Sequence, residues 1–159
     1  MVDADRFRLA MRRMATGVSV LTTDGPAGRF GVTVSSLCSL SLEPPSVLAC
    51  VHHQSASYGA IVANGVFCAN VLTAGQSRVS DSFAGRIADL KANKFACADW
   101  YALKTGSPVL HEALIAFDCR LTKEAEFGSH RILMGTVLDV VARDDQPLVY
   151  ADCGYRSVA

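Results

Sequence analysis

Residues 131–142 limit the fold more than any other part of the chain. In an extended strand successive side chains point to opposite sides. On that period Leu133, Val137 and Val141 share one face, and Ile132, Met134, Leu138 and Val140 share the other. A strand that is apolar on both faces must have both covered. In a small barrel the inner face fills the core, so the outer face needs a further cover. A second copy of the chain is the simplest cover, and a homodimer is therefore expected. Residues 113–124 read differently. Ile115, Phe117, Cys119 and Leu121 oppose Asp118 and Arg120, which predicts one buried and one solvated face.

The remaining segments fit the same architecture. Residues 18–23 and 30–37 are short strands joined by the turn Asp24-Gly25-Pro26-Ala27-Gly28, so they predict a hairpin. After Pro44-Pro45, residues 46–51 form a third strand and residues 66–72 a fourth. Helices are few. One covers residues 3–14, with Phe7, Met11 and Met14 at helical spacing and Asp3 or Asp5 as cap. Another runs over 55–62, closed by Asn64-Gly65. A third spans 75–83, and a short one 89–96. About six to seven strands with hairpin connections and peripheral helices make a mainly β domain, a small barrel. The βαβ alternation of a dinucleotide fold is missing, and so is its GxGxxG signature. Gly25, Gly28 and Gly31 join two strands and are read as turn residues.

Composition excludes several partners. Half of the 159 residues are hydrophobic, which suits one globular domain over the whole chain. Fifteen basic and fifteen acidic side chains cancel, so nothing points to nucleic acid or an anionic membrane. The first fourteen residues are charged, and the best apolar run, 47–51, is far too short to span a bilayer. A cytoplasmic protein is expected. Cysteines at 38, 50, 68, 97, 119 and 153 form no CxxC pair. They are read as free, mostly buried thiols rather than zinc ligands. His52 and His53 are no metal pair on this reading, because neighbours on a strand point apart.

The segment from Gly31 to Pro45 carries the clearest chemistry. Thr33 and Ser35 lie on one side of a strand, and Ser36 and Ser39 follow. Clustered hydroxyls and open backbone N–H groups suit a phosphate. The same residues would also suit an edge strand facing water.

A set of motifs in order along the chain then resembles a known family. They are Met14-Ala-Thr-Gly-Val-Ser-Val-Leu-Thr-Thr, Gly31-Val-Thr-Val-Ser-Ser, Ser39-Leu-Ser-Leu-Glu-Pro-Pro-Ser-Val-Leu-Ala-Cys-Val, Phe67-Cys-Ala-Asn-Val-Leu, Ser82-Phe-Ala-Gly, Gly128-Ser-His and Pro147-Leu-Val-Tyr-Ala-Asp-Cys-Gly-Tyr-Arg. Together they resemble the short-chain flavin reductases, whose members supply reduced flavin to two-component monooxygenases. The resemblance implies an FMN-binding split β-barrel with Greek-key connections. It implies FMN or FAD as flavin and NADH or NADPH as hydride donor. Thr33, Val34, Ser35 and Ser36, with Ser39 beyond them, would hold the phosphate end of the flavin. Cys50, Val51, His52, Ser55 and Ala56 would line its ring system. Phe83 and Ala84 would pass nearby, and Arg86 is a countercharge for a phosphate. His130 falls on the nicotinamide side. The family usually reads Gly-Asp-His there, whereas this chain has Ser129 in place of the acid. Two other readings share the barrel: a flavin-binding module without reductase activity, and an oxidase of the pyridoxine-phosphate oxidase type.

Overall fold

The computed structural model describes residues 1–158. In chain order the elements are α1 (Ala4–Met11), β1 (Thr16–Gly17), β2 (Ser19–Thr23), β3 (Phe30–Val34), β4 (Cys38–Leu42), β5 (Pro45–His52), α2 (Ala56–Asn64), β6 (Val66–Val71) and α3 (Ser77–Phe83). They continue with β7 (Trp100–Ala102), β8 (Pro108–Leu110), β9 (Ile115–Phe127), β10 (His130–Ala142), β11 (Val149–Ala151) and β12 (Gly154–Arg156). Seven strands make one antiparallel sheet in the order β3-β2-β6-β9-β10-β5-β4. The long pair β9 and β10 lies at its centre, with β5 on the far side of β10. Strands from both ends of this sheet meet in one core, where Leu21, Val34, Val47, Ala49, Phe67 and Leu133 pack together. The sheet therefore curls into a barrel. Ile61 of α2 is fully buried in that core and closes it.

The hairpin of β2 and β3 forms as its turn chemistry predicts, with Leu21 opposite Val32. Gly28 takes a positive φ of 95° in the turn. Asn64 holds this turn from outside: its Nδ2 donates to Gly28 O at 3.0 Å and its Oδ1 accepts from Ala27 N at 2.8 Å. Gly65 closes α2 with φ 71°. Gly31 is not a turn residue. It lies inside β3, where the Phe83 ring presses on its Cα and leaves no room for a Cβ.

Other expectations need correction. Asp118 does not face solvent. It is fully buried and accepts from both the N–H and the hydroxyl of Thr105. The cause is the β7–β8 hairpin, which covers this side of the barrel and packs Val109 on Cys68 and Ala116. Helix α1 is shorter than read, capped by Asp3 through Asp5 N at 2.8 Å, and none of its residues is buried. Only Cys68 and Cys119 are fully buried; Cys38 and Cys153 are exposed. Burial, reinforced by the charge of Asp118, pushes the Cys119 thiol up to about 12. It is a protonated packing group at neutral pH. On β10, Leu133 is buried, whereas Val140 and Val141 are exposed. Among the described residues no helix is long and apolar enough to cross a membrane.

Candidate functional site

Three pieces of chain converge where β3 and β5 leave the barrel. Beyond Val34 the chain turns through Ser35 and Ser36. The end of β5 carries Cys50, Val51 and His52. The loop before β10 brings in Ser129, and β10 opens on His130, which pairs directly with His52 across the β5–β10 ladder. Ser36 fastens the first two pieces: its hydroxyl donates to Cys50 O at 3.1 Å and accepts from Cys50 N at 2.9 Å. The Thr33 hydroxyl is likewise committed, donating to Ser80 O of α3 at 2.7 Å. Both residues build the rim, and their hydroxyl protons are spent inside the protein. Their hydroxyls anchor the backbone that shapes the groove. Ser35 stays exposed.

Two adjoining concavities share Thr33, Val34 and Ser35. The larger is lined also by Val32, Ser36, Cys50, Val51, His52, Ser55 and His130. The smaller is lined by Val18, Ser80, Ala84, Arg86, Tyr150 and Tyr155. Most of the residues singled out in the sequence therefore meet in one groove. Three do not. Ser39 lies on β4 and opens onto a separate, mainly apolar recess with Leu42, Val47 and Phe117. Phe83 is 1% exposed and stacks edge-on with Phe95 and Trp100, so it supports β3 from beneath. Ala56 lines a third cavity on the other side of Ser55.

The imidazoles at the rim are held by their neighbours. Gln54 N donates to Nδ1 of His52 at 3.2 Å, which puts the proton of the neutral ring on Nε2. The rings of His52 and His130 meet edge to face with centroids 5.3 Å apart. Ser129 Oγ lies 2.9 Å from Nδ1 of His130. His52 and His53 do not point apart: β5 ends at His52, the turn breaks the alternation, and the rings come within 4.8 Å.

The far end of the groove carries a polar knot that sequence reasoning missed. Arg86 pairs with Asp81 at 3.2 Å. Hydrogen bonding to Tyr150 and Asp81 raises the Arg86 pKa beyond its already high value. The Tyr155 hydroxyl donates to Asp81 at 2.6 Å and lies 2.9 Å from Ser80 Oγ. Burial, then the bond to Asp81, raises its pKa. Tyr155 therefore lines the far end of the groove, fixed to α3. No local signal marks Asp81 as a partner, since the C-terminal hairpin reaches α3 only through the fold.

This antiparallel barrel, with one groove at the open ends of β3 and β5, defines a split-barrel ligand-binding protein. The model of the flavin reductase like domain matches residues 11–159, and the chain belongs to that family. FMN reductase (NADH) RutF 2 of Methylorubrum extorquens strain PA1 is 43% identical over 156 residues, which are 98% of this chain and 90% of that one. Among solved structures, a candidate flavin reductase of Haemophilus somnus 129PT superposes with a TM-score of 0.93 at 37% identity, covering 99% of this chain and all of that one. BorF, the flavin reductase component of a bacterial two-component tryptophan halogenase, gives a TM-score of 0.87 at 32% identity over 98% of both chains.

The groove suits a flavin on its own chemistry. A flat ring system needs an apolar wall and polar partners at its edge. Val32, Val34 and Val51 supply the wall. At the edge, Ser55 occupies the N-cap of α2 without a side-chain cap bond; its carbonyl accepts from Tyr58 N at 3.0 Å, and its hydroxyl takes up none of the first N–H groups of the helix.

Proposed function

We infer that the chain is an NADH-dependent flavin reductase, acting on FMN or FAD and passing reduced flavin to a monooxygenase. One observation carries this reading: His130 and His52 stand at the mouth of the same concavity whose wall is Val34 and Val51. A nicotinamide could approach there while the ring's other face rests on protein. The bound flavin supplies the chemistry, accepting a hydride from the dihydronicotinamide. The protein's part is positional. Val34 and Val51 exclude water from one face, Ser35 offers a hydroxyl, and Ser129 orients the His130 ring. No side chain has to donate or remove a proton. The relatives support the donor and the acceptor through the names FMN reductase (NADH) and flavin reductase component. The monooxygenase partner rests on the two-component system in which BorF serves. The reaction belongs in the cytoplasm, where NADH is supplied.

Mixing the protein with NADH and FMN and following absorbance at 340 nm tests the activity. A flavin-binding module would show no flavin-dependent turnover. With His130→Ala, KM for NADH should rise about ten-fold, the loss of one good polar contact, while the Kd for FMN holds. Unchanged kinetics would remove His130 from the nicotinamide side.

We also propose that the chain works as a homodimer. Phe7, Leu9 and Met11 of α1 and Val140 of β10 are exposed in the single chain, and apolar surface of this kind is normally covered. Sedimentation equilibrium should return twice the chain mass. A monomer at micromolar concentration would refute the assignment.

A further inference from the structure

The hairpin that delivers His130 to the groove also delivers an aromatic ring that hydride transfer leaves unused. Phe127 is the last residue of β9 and is 82% exposed. It belongs to none of the buried clusters among the described residues. Gly128, with φ 57°, and Ser129 make the two-residue turn between β9 and β10. His53 N donates to Ser129 O at 3.0 Å, which fixes the tip beside the end of β5. Directly opposed residues of an antiparallel pair share a face of the sheet. His130 is opposite His52 on one side and Phe127 on the other. The three rings therefore stand in a row across three strands, on the face that His52 and His130 present to the groove. Behind them Cys50, Ile132 and Ala125 make a second row. The acids of the hairpin face the other way. Glu124 accepts from the Tyr58 hydroxyl at 2.8 Å, and Glu126 pairs with Arg131 at 3.0 Å. No carboxylate of residues 122–127 therefore stands on the row's face to repel an anionic ligand.

We propose that Phe127 stacks on the adenine of the nicotinamide dinucleotide. The proposal rests on the flavin-reductase reading, with the nicotinamide at His130. A dinucleotide has two bases to place, and only one of them reacts. With the nicotinamide at His130, Phe127 is the next aromatic surface, one strand further from Val34 and Val51 and about 5 Å beyond His130. A base has an apolar face, and an exposed phenyl ring offers it a platform without rearrangement of the protein. Val140, on the proposed subunit contact, lies near the opposite end of β10. Adenine takes no part in the hydride transfer, so its contact is made equally in the ground state and the transition state. Such a contact lowers KM and leaves kcat alone. Phe127 is thus a positioning residue that favours a dinucleotide donor over a mononucleotide.

Steady-state kinetics with NADH and with reduced nicotinamide mononucleotide, which lacks the adenylate, test this on the wild type, Phe127→Ala and Phe127→Trp. Direct titration of each donor, read by its own fluorescence, gives Kd beside KM. In Phe127→Ala, KM and Kd for NADH should rise about ten-fold, within the range for a base stacked on an aromatic ring, with kcat unchanged. The mononucleotide's values should stay the same, and Phe127→Trp should keep the wild-type affinity for NADH. Equal losses with both donors overturn the proposal, since the ring then acts on the nicotinamide half or on the shape of the hairpin. No change for NADH overturns it too. So does a Phe127→Ala protein whose mass in sedimentation differs from that of the wild type, which would place the ring in a subunit contact. A wild type that binds NADH without flavin-dependent turnover would sink the reductase reading alone. The two donor titrations would still decide whether Phe127 holds the adenine.

Discussion

Replacing Gly31 with alanine is expected to destabilise the protein and weaken flavin binding together. A Cβ at this position would sit 2.5 Å from Cε1 and 2.7 Å from Cδ1 of Phe83, and 3.2 Å from Leu21 O. The ring has no space to retreat into. Phe83 is packed edge-on against Phe95 at 4.9 Å and Trp100 at 5.5 Å, and those two stack on each other. Overpacking a fixed core costs about 1–3 kcal/mol, and this contact belongs at the upper end. For a chain of this size that is a fall in Tm of roughly 10 °C. Strand β3 must shift to relieve the clash, and β3 carries Val32 and Val34 to the groove. The Kd for FMN should therefore rise as well. Melting curves with and without FMN check both effects. Adding Phe83→Leu should recover part of the loss. A Gly31→Ala protein that melts like the wild type would mean that the aromatic cluster yields freely.

Asn70→Ala is expected to lower stability still further while leaving the chemistry intact. Asn70 is fully buried on β6. Its Oδ1 accepts from Leu110 N at 2.8 Å, and its Nδ2 reaches Thr22 Oγ1 at 3.1 Å and Val20 O at 3.2 Å. One side chain thus ties the β7–β8 hairpin to the barrel wall. Truncation leaves the buried Leu110 N–H unpaired, worth about 1–3 kcal/mol, and removes the amide's bonds to Thr22 and Val20 at about 1 kcal/mol each, so a loss of about 4 kcal/mol is expected. That is a large part of a typical domain's 5–15 kcal/mol, by order of magnitude. Urea unfolding should show a much lower midpoint. Well below the transition, kcat should match the wild type, because Asn70 is not among the groove residues. A midpoint shift worth less than about 1 kcal/mol would show that water can replace the amide.

The two substitutions mark where local pattern stops being informative. The alternation in residues 113–124 and 131–142 identified β9 and β10, the longest strands of the barrel. Turn chemistry placed the β2–β3 hairpin, and Asn64-Gly65 marked the end of α2. Most of the groove was legible as well, because the ordered motifs run along β3 and β5 and into the loop before β10. The short strands were not. β7, β8, β11 and β12 have three residues each, too few to carry a period, and β4 was missed beside Pro44-Pro45.

Periodicity and turn residues are properties of neighbours in the chain, so they were enough to specify a curled antiparallel sheet and the strands that carry the groove. What faces what depends on register and closure, which join distant segments and exist only once the chain has folded. The charge of Asp118 reads as solvent-facing until the β7–β8 hairpin lies over it. Arg86 reads as a free cation until Asp81 and Tyr150 meet it. Arg29 and Lys94 stand far apart in sequence, and they share one cavity because β3 and the segment after α3 pack side by side around Phe95.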